Sequence, residues 1–469
     1  MAQNDTIFAL STAAGRAGVA VVRISGPRAR SALAVLGGPT DPKPRHATLV
    51  RLQAPGGGAP IDQGLALWFP QPHSFTGEDQ VELQLHGGRA VVAAALEALG
   101  AIPGLRPAEP GEFTHRAFDN GKLDLSEVEG LADLVAAETE AQRRQALRQM
   151  TGALSNLTES WRGRLVQTLA HLEADIDFPD EDLPAGLSDA ARGIILGLIE
   201  ELAQYLDDRG SGERLRDGFH IAIVGPPNVG KSSLLNAIAR RDAAIVSETA
   251  GTTRDVIEVH LDLGGYPVTL VDTAGLRAAA QSESNTDGAM APPADGSIAG
   301  GHVDPVEAEG MRRARDRAAR ADLKLVVCDA VDWPVLPPES QALIDEAAYL
   351  VVNKVDLAAA PEETRFRDRP VFPVSALEGR GLSQLLDDIE GEVVASLGVS
   401  GAAPSLTRAR HRRALEDCRD ALGRALEASL PELAAEDVRL AVRALGRITG
   451  RVDVEDVLDA IFREFCIGK

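Results

Sequence analysis

Three cysteines in 469 residues, Cys328, Cys418 and Cys466, are too few, too scattered and odd in number for a disulfide framework or a zinc ribbon. They point to a reducing, cytoplasmic setting. No run of eighteen apolar residues occurs, which excludes a membrane-spanning helix on length. No Lys or Arg precedes Arg16, and Gly, Ser and Thr interrupt the first apolar stretches, a poor pattern for a signal peptide. Basic side chains are outnumbered: 48 Lys and Arg against 70 Asp and Glu leave a net charge of −22. Any grip on nucleic acid must therefore come from a local basic surface or a partner. What is present is an ordinary folding composition, 44% apolar and 25% charged, which excludes a chain disordered throughout. A length about three times that of a common ~150-residue domain predicts two to four domains.

The chain reads as an α/β and α+β multidomain protein. Over 1–120, short β-branched runs such as Val19 to Ile24, Leu65 to Phe69 and Val81 to Leu85, punctuated by Gly and Pro, predict a small α+β domain. From Gly111 no proline appears until Pro179, and Leu123, Val128, Leu131, Leu134 and Val135 recur at helical spacing, so 121–217 reads as the first part of a helical domain. Over 218–398, Ile221 to Val224, Val268 to Val271, Leu323 to Val327 and Tyr349 to Val352 alternate with helical stretches, the pattern of a mostly parallel sheet. Helical text returns over 399–469, which predicts an α/β domain inserted into one helical domain. Within it, Ala278 to Pro305 holds four acids, no Lys or Arg, and only Met290, Ile298 and Val303 as large apolar residues, a composition that predicts a flexible insertion.

Gly225-Pro226-Pro227-Asn228-Val229-Gly230-Lys231-Ser232 fits G-x-x-x-x-G-K-S between a β run and the helical Ser233 to Ala239. In that context backbone N–H groups wrap phosphates at a helix N-terminus, Lys231 reaches the β and γ phosphates, and Ser232 offers its hydroxyl to Mg²⁺. Asp272-Thr273-Ala274-Gly275 follows a second β run and supplies a carboxylate for the Mg²⁺ shell and a glycine N–H for the γ-phosphate. Asn353-Lys354-Val355-Asp356 ends a third. Asp356 can accept both the N1–H and the N2 amino hydrogens of guanine, a pattern adenine cannot offer, and Ser375-Ala376 closes such base pockets. Four elements in order, each at a strand end, predict a guanine-nucleotide site. Gly251-Thr252-Thr253-Arg254-Asp255 lies where a switch loop belongs, with Thr253 the candidate Mg²⁺ ligand. Leu276 follows Gly275, so the water-positioning glutamine of Ras-like enzymes is missing and hydrolysis needs another device. Arg254 has two readings, an arginine finger or a switch-loop salt bridge. The Asn228 amide oxygen with backbone carbonyls of Ser247 to Thr252 offers a site for K⁺, whose charge would replace a finger.

Motifs outside this domain extend the pattern: Asn4-Asp5-Thr6-Ile7, Arg23-Ile24-Ser25-Gly26, Ser74-Phe75-Thr76-Gly77-Glu78-Asp79, Pro110-Gly111-Glu112-Phe113, Lys122-Leu123-Asp124-Leu125, Ile176-Asp177-Phe178-Pro179 and the terminal Phe465-Cys466-Ile467-Gly468-Lys469. With the nucleotide motifs they make a chain that resembles the bacterial MnmE (TrmE) family of tRNA modification GTPases over essentially its full length. The resemblance implies a folate-binding, dimerising N-terminal domain, a split helical domain, and a G domain that pairs across GTP with K⁺. It also implies an FAD-containing MnmG-like partner, in a heterotetramer, that acts with it to build a carboxymethylaminomethyl-type group at C5 of the wobble uridine of certain tRNAs.

Carried over by motif, Asn228, Ser247, Thr249 and Thr252 would hold K⁺, and Ser232 and Thr253 would hold Mg²⁺. Serine at 247 stands where members often have threonine and serves equally through its carbonyl or hydroxyl. Asn228 to Ser233, Ser247, Glu248, Thr249, Ala250, Gly251, Thr252, Thr253, Asp272, Thr273, Ala274, Gly275, Asn353, Lys354, Asp356, Ser375 and Ala376 would line GTP. Arg23, Glu82, Lys122 and Lys469 would bind a formyl- or methylene-tetrahydrofolate, cations on its carboxylates and Glu82 on its pterin. Glu307 would orient the attacking water beside the catalytic Lys231, with Glu309 the alternative across the insertion. Cys466 is read as a resting thiol or a participant in the modification; Cys466 to Lys469 has a superficial C-a-a-X form, but Gly468 and Lys469 are wrong for prenylation. The nucleotide motifs alone also fit two other function classes: a regulatory GTPase switch in ribosome assembly, which the flanking motifs disfavour, and a membrane-remodelling GTPase, whose amphipathic or transmembrane element the sequence does not offer. Arg408, Arg410, Arg412 and Arg413 read as a tRNA contact or as a solvated helix face.

Overall fold

The computed structural model describes residues 5–177, 187–208, 210–241, 258–272, 320–398 and 404–452, with 458, 461, 462, 465 and 468. Its contacts divide the chain into two compact units, Met1–Ala136 with Ala146–Leu206 and Arg410–Lys469, and Ala137–Gln145 with Asp207–Ala409.

The first unit begins with β1 (Thr6–Leu10), β2 (Ala17–Ser25), β3 (Thr48–Gln53), β4 (Pro60–Phe69), β5 (Gln80–Gly87) and β6 (Leu105–Pro107), in the order β3-β4-β5-β2-β1-β6. All neighbours are antiparallel except β1 with β6. Side chains alternate along each strand, so Val22 and Ile24 of β2 and Val81, Leu83 and Leu85 of β5 face one core with helices α1 (Ala29–Val35) and α2 (Arg89–Gly100). The intervening Arg23 and Glu82 face the other side, where Phe75 and Phe113 pack. Helix α3 (Glu112–Asp119) starts at Gly111, whose φ of 69° and contact with the Phe462 carbonyl leave no space for a Cβ. Then come α4 (Leu125–Ala136), α5 (Glu140–Met150), α6 (Ala153–Asp177) and α7 (Leu187–Leu206).

The second unit holds α8 (Ser211–Asp217), β7 (Phe219–Val224), α9 (Lys231–Ala239), β8 (Glu258–Leu263), β9 (Tyr266–Asp272), β10 (Leu323–Asp329), α10 (Pro338–Gln341), β11 (Ala348–Asn353), β12 (Arg365–Phe366), β13 (Arg369–Pro373) and α11 (Leu382–Leu397). Its seven strands run in the order β12-β13-β11-β10-β7-β9-β8, with β13 through β9 parallel and the two edge strands antiparallel. The central strands are apolar almost throughout because both faces are covered: α9 and α11 pack on one, and Leu336, Leu343 and Ile344 on the other. The carboxyl ends of β7, β9, β10 and β11 consequently meet at one edge, where ligands of such sheets bind. Two helices, α12 (Ala409–Glu427) and α13 (Pro431–Thr449), return the chain to the first unit.

Candidate functional site

Strand β7 ends at Val224 and the chain turns through 225–230 into α9. Both motif glycines are required by close approach. A Cβ on Gly225, at φ 146°, would strike the Val327 carbonyl of β10, and one on Gly230, at φ 91°, would strike the Asn353 amide. Lys231 is nearly buried, and its Nζ donates to the carbonyls of Gly225 (3.0 Å) and Pro226 (2.7 Å). At the next position Ser232 Oγ donates to Asp272 Oδ2 at 2.6 Å, and Asp272 is buried at the end of β9. A hydroxyl and a carboxylate beside a loop of backbone N–H groups form a hard-oxygen pair of the kind Mg²⁺ takes next to phosphate.

The Asn353 to Asp356 segment, expected to read the base, is joined to this loop. Buried Asn353 donates from Nδ2 to the Val229 carbonyl (2.9 Å), while its Oδ1 accepts from the Ala376 N–H (3.1 Å). Lys354 Nζ donates to the Asn228 carbonyl at 2.7 Å. Ser375 Oγ, fully buried, donates to Asp356 Oδ1 at 2.6 Å and leaves Oδ2 of that carboxylate for a ligand. Thus Asn228, Val229, Gly230, Lys231, Ser232, Asp272, Asn353, Lys354, Asp356, Ser375 and Ala376 lie in one continuous network, with Ser233 exposed on the first turn of α9. Ser247, Glu248, Thr249, Ala250, Gly251, Thr252, Thr253, Arg254, Thr273, Ala274, Gly275, Glu307, Glu309, the insertion Ala278 to Pro305, Cys466 and Lys469 lie outside the described residues.

Residues 125–466 match the MnmE helical domain family, and 6–122 match the N-terminal family of the GTP-binding protein TrmE. A tRNA modification GTPase MnmE of Paramagnetospirillum magneticum is 54% identical over 99% of this chain and 100% of its own length, and one of Rhodospirillum rubrum is 55% identical over 99% of each. The chain belongs to the MnmE family of tRNA modification GTPases. Among solved structures, the G domain of the T. maritima FeoB iron transporter is 24% identical over 38% of this chain and 98% of its own, with a TM-score of 0.24. Among the described residues, no helix is long and apolar enough to cross a membrane.

The expected folate residues of this MnmE-family chain are partly drawn together. Arg23 and Glu82 are register partners on β2 and β5, paired at 3.1 Å, and the Arg23 guanidinium lies over the rings of Phe75 (5.2 Å) and Phe113 (5.6 Å). Gln80 donates to Glu82 Oε1 at 3.1 Å, yet its own Oε1 is buried with no hydrogen-bond partner among the described residues. Lys122 Nζ donates to the Pro72 carbonyl (3.1 Å), at the other end of the segment that carries Phe75. Although Lys469 lies outside the described residues, the Gly468 carbonyl accepts from Ser11 Oγ at 3.0 Å, and a Cβ on Gly468 would strike the Leu10 carbonyl. Gly468 is therefore seated against the end of β1.

Two polar clusters went unread in the sequence. Arg106 pairs with Asp5 (2.6 Å) and Glu112 (2.5 Å), and Arg116 with Asp5 (2.7 Å), Glu112 (2.9 Å) and Glu78 (3.2 Å). Three of the motif segments that carry the family resemblance thus meet in one ion network. Burial pushes the Glu112 carboxyl up, but the Arg106 hydrogen bond and its neighbours outweigh this and hold it below its ordinary value. The second cluster gives two of the four arginines, Arg410 and Arg412, internal partners, while Arg413 is exposed as a solvated face would be. Arg410, partly exposed, grips Glu129 of α4 at 2.6 Å and donates to the carbonyls of Arg447 and Ile448 at the end of α13. Fully buried His411 meets the same carboxylate at 2.9 Å, and Arg412 donates to the Leu206 carbonyl at 2.9 Å. Only alternation along the helix, with His411, Ala414, Leu415 and Cys418 facing inward, hinted at this. Cys328 and Cys418 are buried thiols pushed up to about 12, chiefly by burial, and so inert.

Proposed function

We propose that the chain is a K⁺-dependent GTPase that works with an FAD-containing MnmG-like protein to add a carboxymethylaminomethyl-type group at C5 of U34 in certain tRNAs. The observation that carries this reading is the bonding of the base-reading segment to the phosphate loop through Asn353 and Lys354, in a chain that also presents the Arg23–Glu82 pair. Asp356, oriented by Ser375, reads guanine. Lys231 exchanges its two carbonyl partners for phosphate oxygens when GTP enters, a neutral partner for a charged one and a gain of electrostatic stabilisation. Ser232 with Thr253 holds Mg²⁺, which neutralises phosphate charge, and Asp272 supports Ser232. Asn228, Ser247, Thr249 and Thr252 hold K⁺, which supplies the charge an arginine finger gives elsewhere. Glu307 orients the water. Arg23, Lys122 and Lys469 hold the carboxylates of a formyl- or methylene-tetrahydrofolate while Glu82 reads its pterin; the orphaned buried Gln80 oxygen fits a donor of that ring. The chain acts in the cytoplasm as a homodimer.

Nucleoside mass spectrometry on tRNA from a strain lacking this chain tests the reading. Loss of the modified wobble uridine is expected; unchanged wobble uridines would overturn it in favour of a regulatory switch. Hydrolysis should also run much faster in K⁺ than in Na⁺, and Asn228→Ala should erase the difference. Equal rates in the two salts for the unaltered protein would remove K⁺ from the site.

A further inference from the structure

The lysine of the base-reading segment stands in an unusual position. Lys354 has a φ of 67°, a left-handed backbone that a non-glycine residue adopts only when its surroundings hold it there, and Asn228, whose carbonyl it grips, has a φ of 65°. One hydrogen bond therefore couples two strained residues, one in the base-reading segment and one in the phosphate loop. Lys354 Nζ has a second partner, Asp329 Oδ2, also at 2.7 Å. Asp329 ends β10, directly across from Asn353 in register. Its other oxygen, Oδ1, accepts the Val331 N–H at 3.0 Å, so the carboxylate is fixed by its own backbone before it meets the lysine. Adjacent to it, the Ala330 N–H donates to the Asn353 carbonyl at 2.8 Å.

We infer that Asp329 is a positioning residue of the nucleotide site: it holds the Lys354 ammonium against the Asn228 carbonyl and so keeps the phosphate loop in the shape that receives a nucleoside diphosphate. The geometry gives the reason. In a trans peptide the C=O of one residue and the N–H of the next point in opposite directions, so a carbonyl held toward the base-reading segment turns the following N–H away from it. Asn353 holds the Val229 carbonyl and Lys354 the Asn228 carbonyl, which fixes two successive N–H groups, those of Val229 and Gly230, on the opposite side. Successive N–H groups turned to one side are what an anion needs. Asp329 is half the clamp: with its charge removed, a half-buried ammonium gains more from water than from one neutral carbonyl, and the loop loses its brace. None of the sequence motifs includes Asp329, and its role depends on a neighbouring strand.

This inference rests on the guanine-nucleotide reading, and the test separates the two. Release of a fluorescent GDP analogue is followed by stopped flow from the full-length protein, from Asp329→Asn, from Lys354→Met and from the double variant. Asp329→Asn keeps an acceptor for the Val331 N–H and removes the charge. Release should quicken about tenfold, with KM for GTP rising, kcat changing by less than about twofold, and the melting temperature of the nucleotide-free protein unchanged. In the Lys354→Met background the same change should have no further effect. Unchanged release from Asp329→Asn, or equal effects in both backgrounds, would overturn the inference. So would failure of both Asp329→Asn and Asp329→Ser to fold by circular dichroism, which would assign the residue to sheet stability. An unaltered protein that does not bind the analogue would instead overturn the nucleotide reading itself.

Discussion

The phosphate loop and the Glu129 cluster both bring buried polar groups together, yet they are built in opposite ways. In the loop, backbone carbonyls accept from side chains such as Lys231 and Asn353, which shape it. Around Glu129 the bonding is charge to charge, between α4 and α12, across 281 residues of sequence. On the proposed reading, the first arrangement leaves positions for a nucleotide. The second is closed: its partners among the described residues are internal, and they tie helices together. A buried charge network is by itself no sign of catalysis; the proposed nucleotide site differs in that its reading requires partners to be exchanged.

The largest expected effect would break the open site at its most specific atom. Asp356→Asn keeps the Ser375 hydrogen bond, because an amide oxygen still accepts, but turns the ligand-facing oxygen into a donor. Guanine then meets a donor where it needs an acceptor, and selectivity for GTP over xanthosine triphosphate should fall by roughly 10⁴-fold or more. Binding titrations with the two nucleotides measure it. Normal GTP binding with no gain for the xanthine base would show that Asp356 does not read the base.

The closed cluster should respond in stability rather than in binding. Glu129→Gln leaves Arg410 and His411 without their counter-charge inside the protein, a loss of about 3–5 kcal/mol. The melting transition should drop while GTP affinity is unchanged, since Asp356 and the phosphate loop belong to the other unit. The pH dependence sharpens the contrast. Burial alone would raise the Glu129 carboxyl, but His411 and Arg410 beside it hold it at about 2. A carboxyl whose folded value lies below its unfolded one, near 4.5, contributes stability that is complete above 4.5 and is lost as pH falls toward 2. Unaltered protein should therefore lose stability across that window more steeply than Glu129→Gln. Parallel curves for the two would mean that Glu129 is not the ionised centre of the cluster.

The same difference decides what could be read from sequence. Ile221 to Val224, the glycine spacing of 225–230 and Asn353 to Asp356 are contiguous, so a parallel sheet with these segments at its strand ends was legible, with helix α9 starting at Lys231 rather than Ser233. The pairings Arg23 with Glu82, Arg106 with Asp5 and Arg410 with Glu129 depend on strand register or helix docking, which local pattern does not carry. A run of arginines on a helix has the same composition whether it meets water, a polyanion or a buried glutamate. Arg410 could be told apart only by its neighbour His411, which lies on the apolar stripe of α12. The resemblance carried Asp5, Glu78 and Glu112 as motif letters, and the structure gives them a common physical cause.

The smallest expected effect on stability tests whether the N-terminal cluster is open or closed. Lys122 is exposed; its backbone N–H is held by the Ala117 carbonyl at 2.8 Å whatever its side chain, and among the described residues its Nζ reaches only the Pro72 carbonyl. Methionine at that position keeps the aliphatic stem that lies beside Gly77 and removes the charge. Surface changes of this sort alter stability by no more than about 0.5 kcal/mol. If the pocket takes a folate, the lost charge-assisted bond to a carboxylate should weaken binding by about tenfold or more. Calorimetric titration with a formyl-tetrahydrofolate, run beside a thermal melt, separates the two. Weaker binding with an unmoved melt would class the cluster with the nucleotide site as one with exchangeable partners. Unchanged binding and an unmoved melt would make Lys122 a plain surface charge, and would leave Arg23 and Glu82, like Glu129 and Arg410, a pair already complete without a ligand.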